Sequence, residues 1–393
     1  MSRYLFSQGA KAQTFKWPIN LSSVSISGEY VYTINRLSDS QVVSSISDRS
    51  LRIYDLTLST EGGLLSEVSS IYNVHEKNIS GVVGLGEAGV VATAGEDGVV
   101  KVWDLRTMKS VAAMSKGSTP LLSLAYSPLT NTLATGTELQ SQDASVFLYD
   151  LRSPSKALRT YVDSHNDDIT VVSFHPSVRH SLLSAGTDAL ITRYDTSIAD
   201  EDEAVAQVIN NGASVHLTGF LNDKIYAASH IETWSVYKQT NKDDESETEQ
   251  EDDRKEYGDV RESWGCEYII DVDTINGYVA IGRNSSSKLT LLEIENAEVR
   301  PTNRIEFENA HANEVIRSVN VHEKYGLVLS GGEDGCIHTW KVPENRDLRD
   351  GEGEWQESKS RNRKHTREEE HKHQPKSKEK RKEKIKEKRF RPY

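Results

Sequence analysis

Three groups of side chains in this sequence could do acyl-transfer chemistry. His75, Thr93 and Asp97 form the first, His165, Ser184 and Asp188 the second, and His311, Ser330 and Asp334 the third. Each offers an imidazole, a hydroxyl and a carboxylate, the groups by which a hydrolase orients a histidine and draws a proton from its nucleophile. From the histidine to the end of the phrase downstream takes 29 residues from His75 to Asp104, 30 from His165 to Asp195 and 30 from His311 to Lys341. A hydrolase needs one such group. Three copies at one spacing argue for architecture rather than catalysis, and no glycine-rich phosphate loop, metal cluster or isolated nucleophile accompanies them. His365, His371 and His373 are scattered among basic residues, and neither a metal nor a cofactor is expected.

The elements that must position these groups are written around two of the carboxylates. GEDGVVKVWDLR at 95–106 returns as GEDGCIHTWKV at 332–342, 237 positions later counted from Asp97 to Asp334. Asp-Gly ahead of an alternating apolar run predicts a tight turn feeding a β-strand. A scan at a period of about 40 to 50 residues finds seven versions of the phrase. They close on SLRIYDL at Ser50, VVKVWDL at Val99, SVFLYDL at Ser145, LITRYDT at Leu190, IETWSVY at Ile231, KLTLLEI at Lys288 and CIHTWKV at Cys336. Strands of small residues precede several of them, as in VVATAGEDG, SLLSAGTDA and LVLSGGEDG.

These residues resemble the WD40-repeat family over about residues 20–342. The resemblance implies an all-β fold, a seven-bladed β-propeller with four antiparallel strands per blade. In that family each outer strand comes from the next unit. The blade ending at Val342 is thus expected to take its own from the N-terminus, within residues 3–17, which removes an edge that would invite aggregation. The propeller is expected to occupy residues 1–342, with an acidic disordered insertion at 239–256, and residues 343–393 to form a disordered basic tail. The resemblance also recasts the three groups. His75, Thr93, Asp97 and Trp103 match the family's structural tetrad, as do His311, Ser330, Asp334 and Trp340. His165, Ser184, Asp188 and Tyr194 match it with Tyr in place of Trp. The phrase itself reads as the turn and inner strand of blade two. Blade five has His230 where the Asp should stand and blade six lacks both Asp and Trp, so packing alone is expected to hold them.

Composition sets the outer bounds. At 393 residues the chain exceeds a usual single core, and 36% hydrophobic residues is low for a chain packed throughout. No apolar run reaches the roughly 18 residues of a transmembrane helix, and the N-terminus lacks the apolar core of a signal peptide. Two cysteines, Cys266 and Cys336, are too few for a disulfide framework or a zinc site, so a reducing intracellular setting is expected. The net charge of −13 conceals a division. Residues 359–393 hold 16 Lys/Arg against 6 Asp/Glu, leaving the first 358 with 31 against 54, a net of −23.

The departures from the repeat are the places where function is sought. Residues 243–256 carry nine acids and two bases, a solvated surface for basic partners, and Ser246 and Thr248 fit acidophilic kinase sites. After them YGDVRESWGCEYIIDV presents Arg261 and Trp264 as contact candidates, with burial of Trp264 between blades five and six the favoured role. This motif, the weak blades and the terminal GGEDG…W unit together resemble the WD repeat-containing protein 89 branch of the family. WDLR and YDLR end two strands, and their Arg106 and Arg152 resemble the box that docks some propellers onto cullin-4 ubiquitin ligases.

In the tail, Lys378, Lys380, Arg381, Lys382, Lys384, Lys386, Lys388 and Arg389 fit a nuclear or nucleolar localisation signal whose charge also suits non-specific nucleic-acid contact. The expected protein is a monomeric, non-enzymatic nuclear scaffold with a cytoplasmic pool. Protein or peptide partners would dock on the rim around Lys77, Gln142, Asn166, Asp168, Arg283 and Arg317. Ribosome or chromatin assembly suits an acidic body with a basic tail, and a cullin-4 substrate receptor is the rival reading.

Overall fold

Each of the seven phrases forms the third strand, counted from the centre, of its own sheet in the computed structural model, and six of the seven sheets have four strands. The structure describes residues 5–6, 14–17, 20–57, 65–86, 89–154, 157–240 and 254–341, with backbone only at 14–17 and 20–22. The middle of the acidic insertion with Ser246 and Thr248, and the tail with its localisation residues, lie outside the described residues. Blade one runs Val31–Arg36, Gln41–Ile46, Leu51–Asp55 and Ser66–Ile71. Blade two is Ile79–Gly84, Val90–Gly95, Val99–Asp104 and Lys109–Ser115. Blades three, four and five repeat the meander from Leu121, Val171 and Val215, and blades six and seven from Tyr268 and Ile316. The first strands of consecutive blades pack on one another around the centre. The phrase strand Val99–Asp104 is therefore third from the centre, not the inner strand that the sequence led us to expect. Among the described residues no helix is long and apolar enough to cross a membrane.

A propeller has no single core, and this follows from burial on both faces of every sheet. The buried residues sort into seven apolar clusters, one at each blade junction. Second strands are sandwiched between two neighbours and are buried along their whole length, as Ser181–Ala185 and Leu327–Gly332 are. This explains the small-residue strands of the repeat, since alternation is lost when neither face meets water. A Cβ at Gly136 would stand 2.4 Å from Ile169 Cγ2, and one at Gly331 would stand 2.5 Å from Val31 Cγ1.

Ring closure differs from expectation. The outer strand of blade seven is Asn20–Ser25, antiparallel to Cys336–Lys341, rather than a segment within residues 3–17. The earlier strand Thr14–Trp17 instead runs parallel to Glu298–Glu308 as a fifth strand on blade six. Glu298–Glu308 is 11 residues long, so its outer edge offers more unpaired backbone than the other blades do, and the added strand covers Arg304 to Phe307. Leu5 and Phe6 are buried with the apolar cluster of blades six and seven. The insertion is also shorter than 239–256, because Lys255 and Glu256 already pair with Val236 and Ser235 in the outer strand of blade five.

Candidate functional site

The three groups are assembled as hydrogen-bonded tetrads, each between the second–third turn of a blade and the loop entering it. His75 Nδ1 lies 3.0 Å from Asp97 Oδ1, its Nε2 lies 2.7 Å from Thr93 Oγ1, and Trp103 Nε1 donates to that hydroxyl at 3.1 Å. In blade seven the distances are 2.8 Å from His311 to Asp334, 2.8 Å from His311 to Ser330 and 3.2 Å from Trp340 to Ser330. In blade four His165 bonds Asp188 at 2.9 Å and Ser184 at 2.7 Å, and Tyr194 Oη reaches Ser184 at 3.0 Å. The proton order follows from chemistry. A carboxylate only accepts, so Nδ1–H donates to Asp, Nε2 accepts from the hydroxyl, and the hydroxyl oxygen accepts from the indole N–H. Every polar atom is thereby spent inside the sheet. Glycine at the turn entrance is dictated by the ring, for a Cβ at Gly95 would come within 2.5 Å of His75 Nδ1.

Electrostatics fixes the same protonation states. Burial pulls the His75 and His311 imidazoles below their ordinary range, against the opposing pull of Asp97 and Asp334. Burial pushes the Asp97 carboxyl upward, but the Glu76 N–H and the His75 ring outweigh it and hold it low. Asp188 and Asp334 are held low in the same way, by His165 and by His311 with His338. His75 and His311 are therefore neutral, and Asp97, Asp188 and Asp334 ionised, at neutral pH. His75, His165 and His311 are at most 4% exposed and their hydroxyl partners are inaccessible, so no substrate can reach this chemistry. His311, Asp334 and His338 bring ligand atoms within 4.8 Å of one another, but both ring nitrogens of His311 are already committed to the tetrad.

Two blades correct the expectation of packing alone. In blade five Tyr237 occupies the register of Trp103, pairing with Ile225 as Trp103 pairs with Val91. Its hydroxyl bonds Asn211 Oδ1 at 2.8 Å. Asn211 stands four residues before Val215, as His75 stands four before Ile79, and that offset was the available signal. Ala227 replaces the hydroxyl residue, so Tyr bonds Asn directly. Blade five is further held by Trp234, which stacks on Tyr226 at 5.2 Å and meets Trp264 at 5.6 Å. Trp264 is 2% exposed, so it seals blades five and six and is withdrawn as a contact residue. Blade six gains the fifth strand. In blades one and three Tyr54 and Tyr149 occupy the tryptophan register, but their hydroxyls are buried without a partner.

The rim candidates all fall on the tetrad face. Lys77, Gln142 and Asn166 are exposed. The remaining three are less free than expected. Asp168 is half-buried and accepts from the Leu139 N–H at 2.7 Å, Arg317 is paired with Glu333, and Arg283 lies 3.9 Å from Glu267. Arg261 is exposed on the same face and chelated by Asp259. Arg106 and Arg152 lie on the opposite face, 73% and 70% exposed, each forked onto the aspartate two residues earlier, Asp104 and Asp150.

One partly buried acid in blade six resists ionisation. Burial in the first strand of blade six pushes the Asp271 carboxyl up to about 6, and the neighbouring Asp273 adds to this against the Val272 N–H. Its folded value lies above its unfolded one, so its contribution favours folding below about pH 4 and is lost as pH rises through about 6. Asp271→Asn is therefore expected to raise Tm at pH 8 and leave it nearly unchanged at pH 4. Thermal unfolding at both pH values tests this, and an equal gap at the two would refute it.

A family model described as "WD domain, G-beta repeat" matches residues 66–104 and 303–341, the stretches holding two of the three tetrad phrases. A WD repeat-containing protein of Saccharomyces cerevisiae is 37% identical over 270 residues, covering 66% of this chain and 67% of that one. The WD repeat-containing protein 89 homolog of Dictyostelium discoideum is 28% identical over 192 residues, 47% of this chain and 49% of its own. A WD repeat-containing protein of Schizosaccharomyces pombe is 33% identical over 340 residues, 82% of this chain and 98% of its own. A match that runs almost the full length of that relative, on a ring of seven such sheets, means that the chain belongs to the WD40-repeat β-propeller family.

Proposed function

We propose that this protein is a non-enzymatic interaction scaffold whose docking face is the rim on the tetrad side. WD40 propellers generally bind protein partners and are generally without catalytic activity. The observation that carries the reading is the closure of all three tetrads: their triad-like groups are buried and fully bonded, which leaves the exposed rim loops as the chemically available surface. In this reading the basic tail directs the chain to the nucleus and nucleolus and touches nucleic acid non-specifically, a cytoplasmic pool persists, and the acidic insertion meets basic partners such as those of ribosome or chromatin assembly. The chain acts as a monomer.

The test is affinity purification with Lys77, Gln142, Asn166 and Arg283 changed together to alanine. Asp168 and Arg317 are spared because they hold neighbouring turns. Loss of specific partners with Tm preserved is the expected result, and an unchanged partner set refutes the rim. A second reading, docking onto a cullin-4 ligase, is favoured by the identical presentation of Arg106 and Arg152 on adjacent blades. Charge reversal of both should then abolish ligase association.

A further inference from the structure

Between blades three and four, on the face opposite the tetrads, lies a cavity of about 390 Å³ whose walls are basic on an otherwise acidic body. Arg152, Arg159, Arg179 and His180 line it, together with Thr130 and Ser197. Arg152 is neutralised by Asp150, through two contacts of 2.8 Å. The other two arginines are not neutralised. Arg159 donates to the carbonyls of Leu158 and Ser197 at 3.1 and 3.4 Å, and Arg179 donates to the carbonyl of Leu129 at 3.2 and 3.0 Å. Among the described residues neither forms an ion pair. Asp195, next to the wall, turns its carboxylate to the N–H and hydroxyl of Ser197 instead.

The wall residues also carry unmet polar atoms. Arg159 Nε and Thr130 Oγ1 are both shielded from solvent and without a hydrogen-bond partner. Native interiors seldom leave such atoms unmet, and a buried donor on a charged group is costly until an acceptor arrives. An anion in the cavity would balance the two guanidinium charges, whose N–H groups reach only backbone carbonyls.

We infer that this cavity binds a phosphate carried on a serine or threonine side chain of a partner protein. A phosphate monoester has near two charges at neutral pH and three acceptor oxygens, which suits forked guanidinium donors better than a single carboxylate does. The mouth suits a peptide, because Leu129 and Leu158 line it 37% and 42% exposed and can cover the flanking residues. Nucleic acid fits less well. It needs an extended basic track, whereas these charges are enclosed in one cavity on a body whose net charge of −23 repels a polyanion. The site lies on the face away from the rim, so it stands or falls independently of the rim reading.

The experiment uses the full chain and fluorescent nine-residue peptide pools with randomised flanks and a fixed central phosphoserine, phosphothreonine or serine. Binding of the phosphorylated pools at least about tenfold tighter than the serine pool is expected, with competition by orthophosphate. Arg159→Gln and Arg179→Gln should each weaken it by about tenfold or more, while the rim variant should not. Arg179 is exposed, so its variant keeps the wild-type melting curve even if Arg159→Gln does not. Equal binding of the serine pool, indifference to Arg179→Gln, or a single-stranded RNA that binds more tightly and displaces the phosphopeptides would overturn the inference.

Discussion

A chain beginning at residue 26 is expected to give no soluble folded monomer, whereas one beginning at residue 20 folds and melts cooperatively at a reduced temperature. The first truncation removes Asn20–Ser25, the strand that closes blade seven against Cys336–Lys341. It forfeits about five ladder hydrogen bonds, each worth about 1 kcal/mol net, a loss comparable to the whole stability of many domains. It also leaves a long edge open to other chains. The second truncation removes only the fifth strand of blade six and the buried Leu5 and Phe6, so the ring stays closed. Their burial is worth roughly 1.5–3 kcal/mol each, offset in part because the entropy of ordering Thr14–Trp17 is no longer lost. Size-exclusion chromatography and thermal unfolding separate the cases. Should the chain from residue 20 aggregate as the shorter one does, closure belongs to residues 3–17 after all.

That contrast marks where sequence reasoning reached its limit. The seven strands, the turn carbons and the three tetrads were legible because their chemistry is local: Asp-Gly turns, alternating strands and a fixed histidine offset survive in plain text. The closing strand was not, because SSVS at 22–25 carries no pattern that distinguishes it from TFKW at 14–17. Pairing partners about 290 positions away for one and 311 to 320 away for the other decide between them. Blade five was misjudged for a different reason. A search for His and Asp passes over Asn211 and Tyr237, which satisfy one another through a single hydrogen bond once Ala227 removes the hydroxyl between them. The basic cavity is not legible in the sequence, since Arg152 and Arg159 flank one connection of blade three while Arg179 comes from a connection of blade four 20 positions later. In the sequence Arg152 stands out for its strand ending, YDLR, and not for its company.

Asp97→Ala is expected to destabilise the propeller by about 1.5–3 kcal/mol, the range for losing hydrogen bonds to a charged acceptor and leaving a buried N–H unmet. The variant leaves His75 Nδ1–H buried without an acceptor and removes the cap on the Glu76 and Val99 N–H groups, at 2.9 and 3.2 Å. Asp97→Asn keeps an acceptor for the ring and should lose about 1 kcal/mol, within the range of one hydrogen bond. A catalytic triad would behave differently, since loss of its carboxylate costs turnover rather than melting temperature. Acid separates the contributions further. Asp97 has a lowered folded value, so its stabilisation is present above about pH 4 and lost as pH falls through that lower value. His75 and His311 are also lowered, so below about pH 6.5 the unfolded chain takes up protons that the folded chain refuses. Wild-type stability therefore declines from about pH 6.5 downward, and the decline persists in Asp97→Ala, because without its carboxylate the buried ring resists protonation still more. Hydrogen exchange localises the damage: amides of blade two should lose protection while those of blade six keep theirs. A variant that melts within a degree of wild type would show that the tetrad does not hold the blade, and would return the buried histidines to the status of an unexplained chemistry.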